Sequence, residues 1–286
     1  MEKKYFLFIA GFLFFLNVFA WQEVFVLSSP KYLQVDFLDV GQGDSIFIET
    51  PGGHRILIDG GPDSTVLEKL DALLPFWDRT LDVVILTHPE RDHMMGVLNV
   101  LQRYRVDYFL WTGVVKNDAE NKKLAELAAL TSKTTKVIIA SPGQEIRAGN
   151  VLINTLFPLE KLEGKELKNT SNDTCIVSKV IFGKSSFLFA CDISSAAEKK
   201  LVASEDDLQA NVLKVAHHGS KYSTSDLFLS AVEPEYAVIE VGKNSYGHPT
   251  SEVLNRLEKF GIKVFRTDKD GDVEFVSDGN SIKLLK

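Results

Sequence analysis

The sequence predicts an α/β fold in a single domain, with two sheets packed face to face and helices covering their outer surfaces. Three observations predict it. After an apolar N-terminal stretch the chain opens as a β-meander, continues as alternating helical and extended patterns, and then runs through the same scheme a second time. No short repeat or low-complexity linker interrupts this order.

Element by element, residues 32–40 read as a strand, GQGD as a turn, 45–50 as a second strand, PGGH as a tight turn and 55–59 as a third strand. Residues 65–74 then show helical spacing, 81–86 a buried strand, 94–104 a helix, 106–111 a strand and 117–130 a helix with a polar start. In the second half, 136–140 and 151–157 are strands, and KLEGKELKNT is a solvated charged loop. Residues 175–182 and 186–190 form a hairpin around GKSS. Helices over 194–203, 225–232 and 251–260 alternate with strands over 211–216, 236–241 and 262–267, and 273–277 closes the domain.

The chain's 286 residues, 45% of them apolar, can fill a core without cross-links. Cys175 and Cys191 lack any CxxC spacing, which excludes a zinc ribbon and a disulfide-rich framework; we read both as buried thiols, with a single disulfide between them as the alternative.

The first residues differ in kind. MEKK precedes an uncharged run of about 17 residues from Tyr5 to Trp21, at the short end of what crosses a bilayer, and VFVL at 24–27 lengthens it. Residues 1–27 are therefore a signal anchor or a signal peptide cleaved after Ala20, the added length favouring the anchor, and 28–286 form the working domain. Lys3 and Lys4 place the N-terminus in the cytoplasm and the domain outside the membrane, or secreted if the segment is cleaved. Net charge is −7, and setting aside Glu2, Lys3 and Lys4 leaves 30 basic and 38 acidic residues, a net of −8. Such a domain has no broad cationic surface for nucleic acid, so phosphate recognition has to be local or supplied by metal ions.

The polar residues that carry chemistry cluster after strand ends. Asp59 follows RILI, His88 follows LDVVIL, Asp192 follows SFLFAC, and His217 and His218 follow NVLKVA. Of six histidines, His54 in the PGGH turn alone falls outside this pattern. A loop bearing THPERDH can point positions 88, 90, 92 and 93 into one hollow, where imidazoles and carboxylates make metal ligands. Two ions sharing Asp192 would activate a water and stabilise the leaving oxygen of an ester.

These motifs resemble a known family. THPERDH is similar to the metallo-β-lactamase signature HxHxDH, ILIDGG to its first motif and LFACDI to its bridging aspartate, over about residues 31–276. FLDVGQGDS, LKVAHHGSKYSTS and NSYGHPTSEVL further resemble the soluble metallo-β-lactamase-like domain of ComEC-type DNA-uptake channels. The resemblance implies a metallo-β-lactamase-like αββα sandwich. It makes His88, Asp92 and His93 metal ligands, Asp192 a bridge, and one of His217 and His218 the completing ligand, with Asp59 orienting a ligand imidazole.

Two departures matter. Glu90 stands where the signature has its second histidine, and Asn172 stands near the position of the mid-chain histidine. A ligating Glu90 makes the site richer in oxygen, which shifts the expected metal, one or two divalent ions, from zinc toward manganese or magnesium. Gly41, Gly43 and Asp44 either build a turn or shape the site floor and fix a ligand. Lys221 beside Ser220 is either solvated or a phosphate contact, and His248 is a ligand, a ligand's partner or, as we favour, the proton donor to the leaving group.

The implied function is an extracytoplasmic metal-dependent hydrolase, a phosphodiesterase or nuclease acting on DNA or another phosphate ester and linked to DNA uptake. Hydrolysis of another bond such as a β-lactam or thioester, and a non-catalytic anchored binding module, are the competing readings. The many-spanning ComEC channel has no counterpart here, so this chain is not itself a pore, and the sequence names no protein partner.

Overall fold

The computed structural model describes residues 2–28, 31–131, 134–167, 171–204 and 206–285. Residues 168–170, the end of the loop read as solvated, and the segment ends at 1, 29, 30 and 286 lie outside that set. Glu2–Ser28 form one helix (α1), whose apolar side chains from Tyr5 to Trp21 are largely exposed. It is long and apolar enough to cross a membrane.

Leu33–Phe37 (β1), Ile46–Glu49 (β2) and Arg55–Ile58 (β3) make the antiparallel opening. Thr65–Leu73 (α2) leads to Thr80–Leu86 (β4), and Arg91–Arg103 (α3) to Arg105–Trp111 (β5). Past the two-residue strand Val115–Lys116 (β6), Ala119–Thr131 (α4) leads to Lys136–Ile139 (β7). Strands β3, β4, β5 and β7 pair in parallel, so each intervening helix must cross back over the sheet.

The second half repeats this plan. Glu145–Ala148 (β8), Val151–Phe157 (β9), Val177–Phe182 (β11) and Ser185–Phe189 (β12) are antiparallel, and Glu166–Leu167 (β10) pairs with β6. Val212–Lys214 (β13), Tyr236–Ile239 (β14) and Lys263–Arg266 (β15) add in parallel, separated by Ser195–Val202 (α5), Asp226–Val232 (α6) and Ser251–Lys259 (α7). A single turn, Thr267–Asp270 (α8), returns the chain to the first sheet as Val273–Ser277 (β16) beside β1, with Ile282–Leu284 (β17) at its edge.

Three buried apolar layers follow. One, including Phe37, Ile48, Ile58, Val180, Phe187 and Phe275, lies between the sheets. A second packs α2, α3 and α4 on the first sheet through Val66, Leu70, Val97, Val100 and Leu124. The third packs α5, α6 and α7 on the second through Leu201, Phe228, Val253 and Leu257. This is the predicted αββα sandwich.

The sequence passed over β6, β8, β10 and β17, which are two to four residues long and lie at edges or outside the two main sheets. It also set the start of α3 too late. The helix begins at Arg91, so Asp92 and His93 occupy its first turn rather than a free loop. Cys175 and Cys191 are buried free thiols.

Candidate metal centre

Parallel strands share a direction, so the C-terminal ends of β3, β4, β12, β13 and β14 meet along one rim of the sandwich. Asp59 leaves β3, His88 leaves β4, Asp192 leaves β12, and His217 and His218 leave β13. The backbone turns sharply there. Asp59, Cys191, His217 and His218 all have φ between 50° and 58°, four of the six left-handed non-glycine residues described. Such conformations cost roughly 1–3 kcal/mol each and concentrate at functional sites.

Helix α3 reaches the rim because two glycines let it seat against the end of β3. A Cβ on Gly96 would lie 1.8 Å from the Gly60 carbonyl oxygen, and one on Gly60 would lie 2.5 Å from the Val97 nitrogen. A Cβ on Gly43 would meet the Asp92 carbonyl oxygen at 2.1 Å, so the loop carrying Asp44 presses directly on the same turn.

Three imidazoles are oriented alike. His93 Nδ1 lies 2.7 Å from Asp59 Oδ2, and Asp59 itself accepts from the Thr87 amide at 2.8 Å and the Thr87 hydroxyl at 2.6 Å. His218 Nδ1 lies 2.8 Å from the Glu240 carbonyl, and His88 Nδ1 lies 3.1 Å from the Thr87 hydroxyl and 3.4 Å from Cys191 Sγ. Each Nδ1 is engaged from behind, which leaves Nε2 as the free lone pair. The Nε2 atoms of His88, His93 and His218 are buried without a hydrogen-bond partner, as is Asp192 Oδ1.

His93 Nε2 is 3.4 Å and His218 Nε2 3.5 Å from Asp192 Oδ2, and Asp92 Oδ2 is 3.3 Å from His218 Nε2. Candidate ligand atoms of Asp44, His93, Asp192 and His218 all lie within 4.8 Å of one another, as do those of His88, His93 and Cys191. Buried donors left unpaired are costly unless something else is bound, and imidazole nitrogens beside carboxylates suit a divalent transition ion.

Electrostatics agree. Burial pulls His93 and His218 down, but Asp192 and Asp44 outweigh it, lifting His93 well above its ordinary value and His218 to about 10. The carboxylates thus demand positive charge at this place, which protons on the two rings or a metal ion on their Nε2 atoms would supply. His88 is driven down to about 3, by burial first and then by His93. Burial pushes Asp192 upward, but His218 and His93 hold it well below the carboxylate range.

Around this cluster opens a cavity of about 400 Å³ lined by Gln42, Glu90, Asp92, Asn172, Asp192, His217, His218, Tyr246 and His248. His217 sits on its wall, 4.0 Å from Asp192 Oδ2 and 3.3 Å from Asn172 Nδ2. His248 Nδ1 is buried without a partner, and burial lowers its basicity.

Two of the candidate residues stand apart from the buried cluster. Glu90 lines the cavity, but its Oε1 accepts from Lys116 Nζ, the Ser171 amide and the Ser171 hydroxyl, each at 2.8 Å, and stands outside the ligand clusters. Lys221 is exposed, 5.2 Å over the Tyr222 ring, and does not line the cavity. Sequence reasoning missed Lys214, fully buried against Asp44 and 3.6 Å from Asp192 Oδ1, and Glu240, whose Oε1 accepts from the Ser45 amide at 2.8 Å. Both were visible as charged residues inside apolar strands, NVLKVA and YAVIEV.

The chain is 30% identical over 261 residues to ComE operon protein 3 of Bacillus subtilis, which covers 85% of this chain and 33% of that protein. It is 31% identical over 244 residues to Competence protein ComA of Neisseria gonorrhoeae, covering 83% and 31%. The chain thus spans about a third of the length of these relatives. Among solved structures, the metallo-beta-lactamase fold protein YhfI from Bacillus subtilis superposes with a TM-score of 0.58 at 17% identity, covering 86% of this chain and all of that one. CmlA, a diiron beta-hydroxylase from Streptomyces venezuelae, superposes at 0.53 with 15% identity, covering 87% and 54%. The metallo-beta-lactamase superfamily model matches residues 38–242, the stretch that holds every residue of the buried cluster, and the chain belongs to that superfamily of metal-dependent hydrolases.

Proposed function

We propose that this chain hydrolyses a phosphodiester, DNA or a smaller phosphate ester, on the outer side of a membrane, in a process allied to DNA uptake. The observation that carries the reading is the set of unpaired Nε2 atoms of His88, His93 and His218 around Asp192 at the floor of an open cavity. His88, Asp92, His93, Asp192 and His218 would hold one or two divalent ions. Such ions supply Lewis-acid activation of water and positive charge for a phosphoryl oxygen. Zinc, manganese and magnesium are the ions to compare, because the donors mix imidazole with carboxylate.

The chain's own groups do the rest. Asp59 and the Glu240 carbonyl fix the ring orientation of His93 and His218. Asn172 steadies His217 at the wall, and His248, whose basicity burial lowers, lines the cavity and would take up the proton released by the attacking water and pass it to the leaving oxygen. The competence-protein relatives support a nucleic-acid substrate. The outer charge of −8 favours single strands or small esters over duplex DNA, because duplex is repelled everywhere but at the centre.

Purified full-length protein supplied with Mn²⁺, Zn²⁺ or Mg²⁺ is assayed against a chromogenic phosphodiester, single-stranded DNA and a chromogenic cephalosporin. Phosphodiester cleavage abolished in Asp192→Asn is expected. Cephalosporin turnover without phosphodiester cleavage overturns the reading.

A further inference from the structure

The rim opposite the metal centre is built for a different surface. Strand β1 is antiparallel to β2, which is antiparallel to β3, and β3 is parallel to β4, so the starts of β1 and β4 lie on the same rim. The chain arrives there from α1. Four residues, hence five Cα–Cα steps, separate Ser28 from Leu33, so the end of the apolar helix lies within about 17 Å of the first residue of β1.

The segment entering β4 carries Phe76 and Trp77, which are 87% and 74% exposed with ring centroids 4.7 Å apart and perpendicular. Two adjacent aromatics held in water are unfavourable unless a partner covers them. They are not on a slack loop. The Asp78 amide donates to the Pro75 carbonyl at 2.9 Å, Asp78 Oδ1 accepts from the Thr80 amide at 3.2 Å, and Asp78 Oδ2 accepts from Arg55 Nη1 at 2.6 Å. This turn fixes the rings outward. Strand β4 is three strands from β1, which puts the aromatic pair roughly 14 Å along the rim from where the chain enters.

We infer that the Phe76–Trp77 turn is a membrane contact, seated among lipid headgroups when α1 is in the bilayer. Aromatic side chains with an apolar body partition to the headgroup layer, and the connection through residues 29–32 holds the turn within reach of it. Exposed Tyr32 and Arg79 share the rim and suit the same depth. Two attachment points, one covalent and one aromatic, fix the domain's orientation with the cavity facing away from the membrane. The inference rests on retention of α1 as an anchor and not on the proposed hydrolysis.

The test uses the full chain in phosphatidylcholine vesicles carrying bromines near the headgroup or deep in the acyl chain. Co-flotation reports whether α1 anchors. In otherwise native protein, the tryptophan emission quenched by shallow bromines should fall when Trp77 is changed to Phe. In a single-tryptophan chain with Trp21 and Trp111 changed to Phe, shallow lipid should quench Trp77 at least about twofold more than deep lipid, as expected for headgroup depth. A Tyr222→Trp control in a chain with Trp21, Trp77 and Trp111 all changed to Phe, its one tryptophan on the exposed far rim, should not respond. Flotation with no difference between Trp77 and the control overturns the contact. Absence of flotation overturns the anchor on which it rests.

Discussion

Glu90 shows how a residue's surroundings decide its part. With Oε1 already accepting from Lys116 and Ser171, its carboxylate fastens the loop at 171–174 to the start of α3. Glu90→Gln is therefore expected to keep the metal content of the wild type, measured by plasma emission spectrometry, while Asp192→Asn loses it. Metal loss in Glu90→Gln would return Glu90 to the ligand set. For the two adjacent histidines, His218→Ala should lower metal affinity by at least about tenfold more than His217→Ala. His218 is buried in the cluster, whereas the His217 side chain is 31% exposed on the wall. Far from the centre, Asp36 is buried on β1, its carboxyl raised to about 7 by burial and by Glu274, Asp272 and Glu49, with Gln34 opposing. The folded state thus holds a proton that the unfolded state releases near pH 4, and this contribution to stability is lost as pH rises through 7. Between pH 5 and 8 thermal scans should show the wild type losing more stability than Asp36→Asn, by up to about 3 kcal/mol, because about two of the roughly three pH units over which the contribution is lost fall inside that window. An equal slope in both proteins would show that Asp36 is not protonated in the fold.

Among elements, α3 carries the heaviest constraint, because its first turn delivers Asp92 and His93 and its middle rests on Gly60 through Gly96. Gly96→Ala should destabilise the protein by about 1–3 kcal/mol in urea titrations and reduce metal content at the same time, since the helix can accommodate a methyl only by moving off β3. Stability lost with metal content intact would mean that the site tolerates the shift. The sequence showed this helix by its apolar spacing from Met94 onward, but not its true start. Arg91, Asp92 and His93 have no apolar periodicity, and only packing against the Asp44 loop and Gly60 makes them helical. The strands of the two main sheets were legible for the converse reason, being apolar on both faces or alternating. The left-handed pair His217 and His218 was not, because nothing local in AHHG demands φ near 51° when neither residue is glycine. The demand comes from Glu240 and Asp192 on neighbouring strands.

For the molecule as a whole, the two halves of the chain each contribute a sheet, a helical layer and part of the centre. His88, Asp92 and His93 come from the first half, Asp192 and His218 from the second. Their order along the chain could be read from the sequence. That they meet across a seam between sheets required the fold. An ion bound by both sides stabilises the folded state by about 2.7 kcal/mol at a hundredfold excess over its dissociation constant, so chelation should lower the melting temperature of the whole domain in a single transition. The seam has a kinetic side as well. If the halves open by parting at the rim, amides of Phe187 and Val180, in the layer between the sheets and remote from any ligand, exchange with deuterium only when that opening occurs. A bound ion then acts as a latch, and adding or removing metal should change the exchange of those distant amides together, at one common rate.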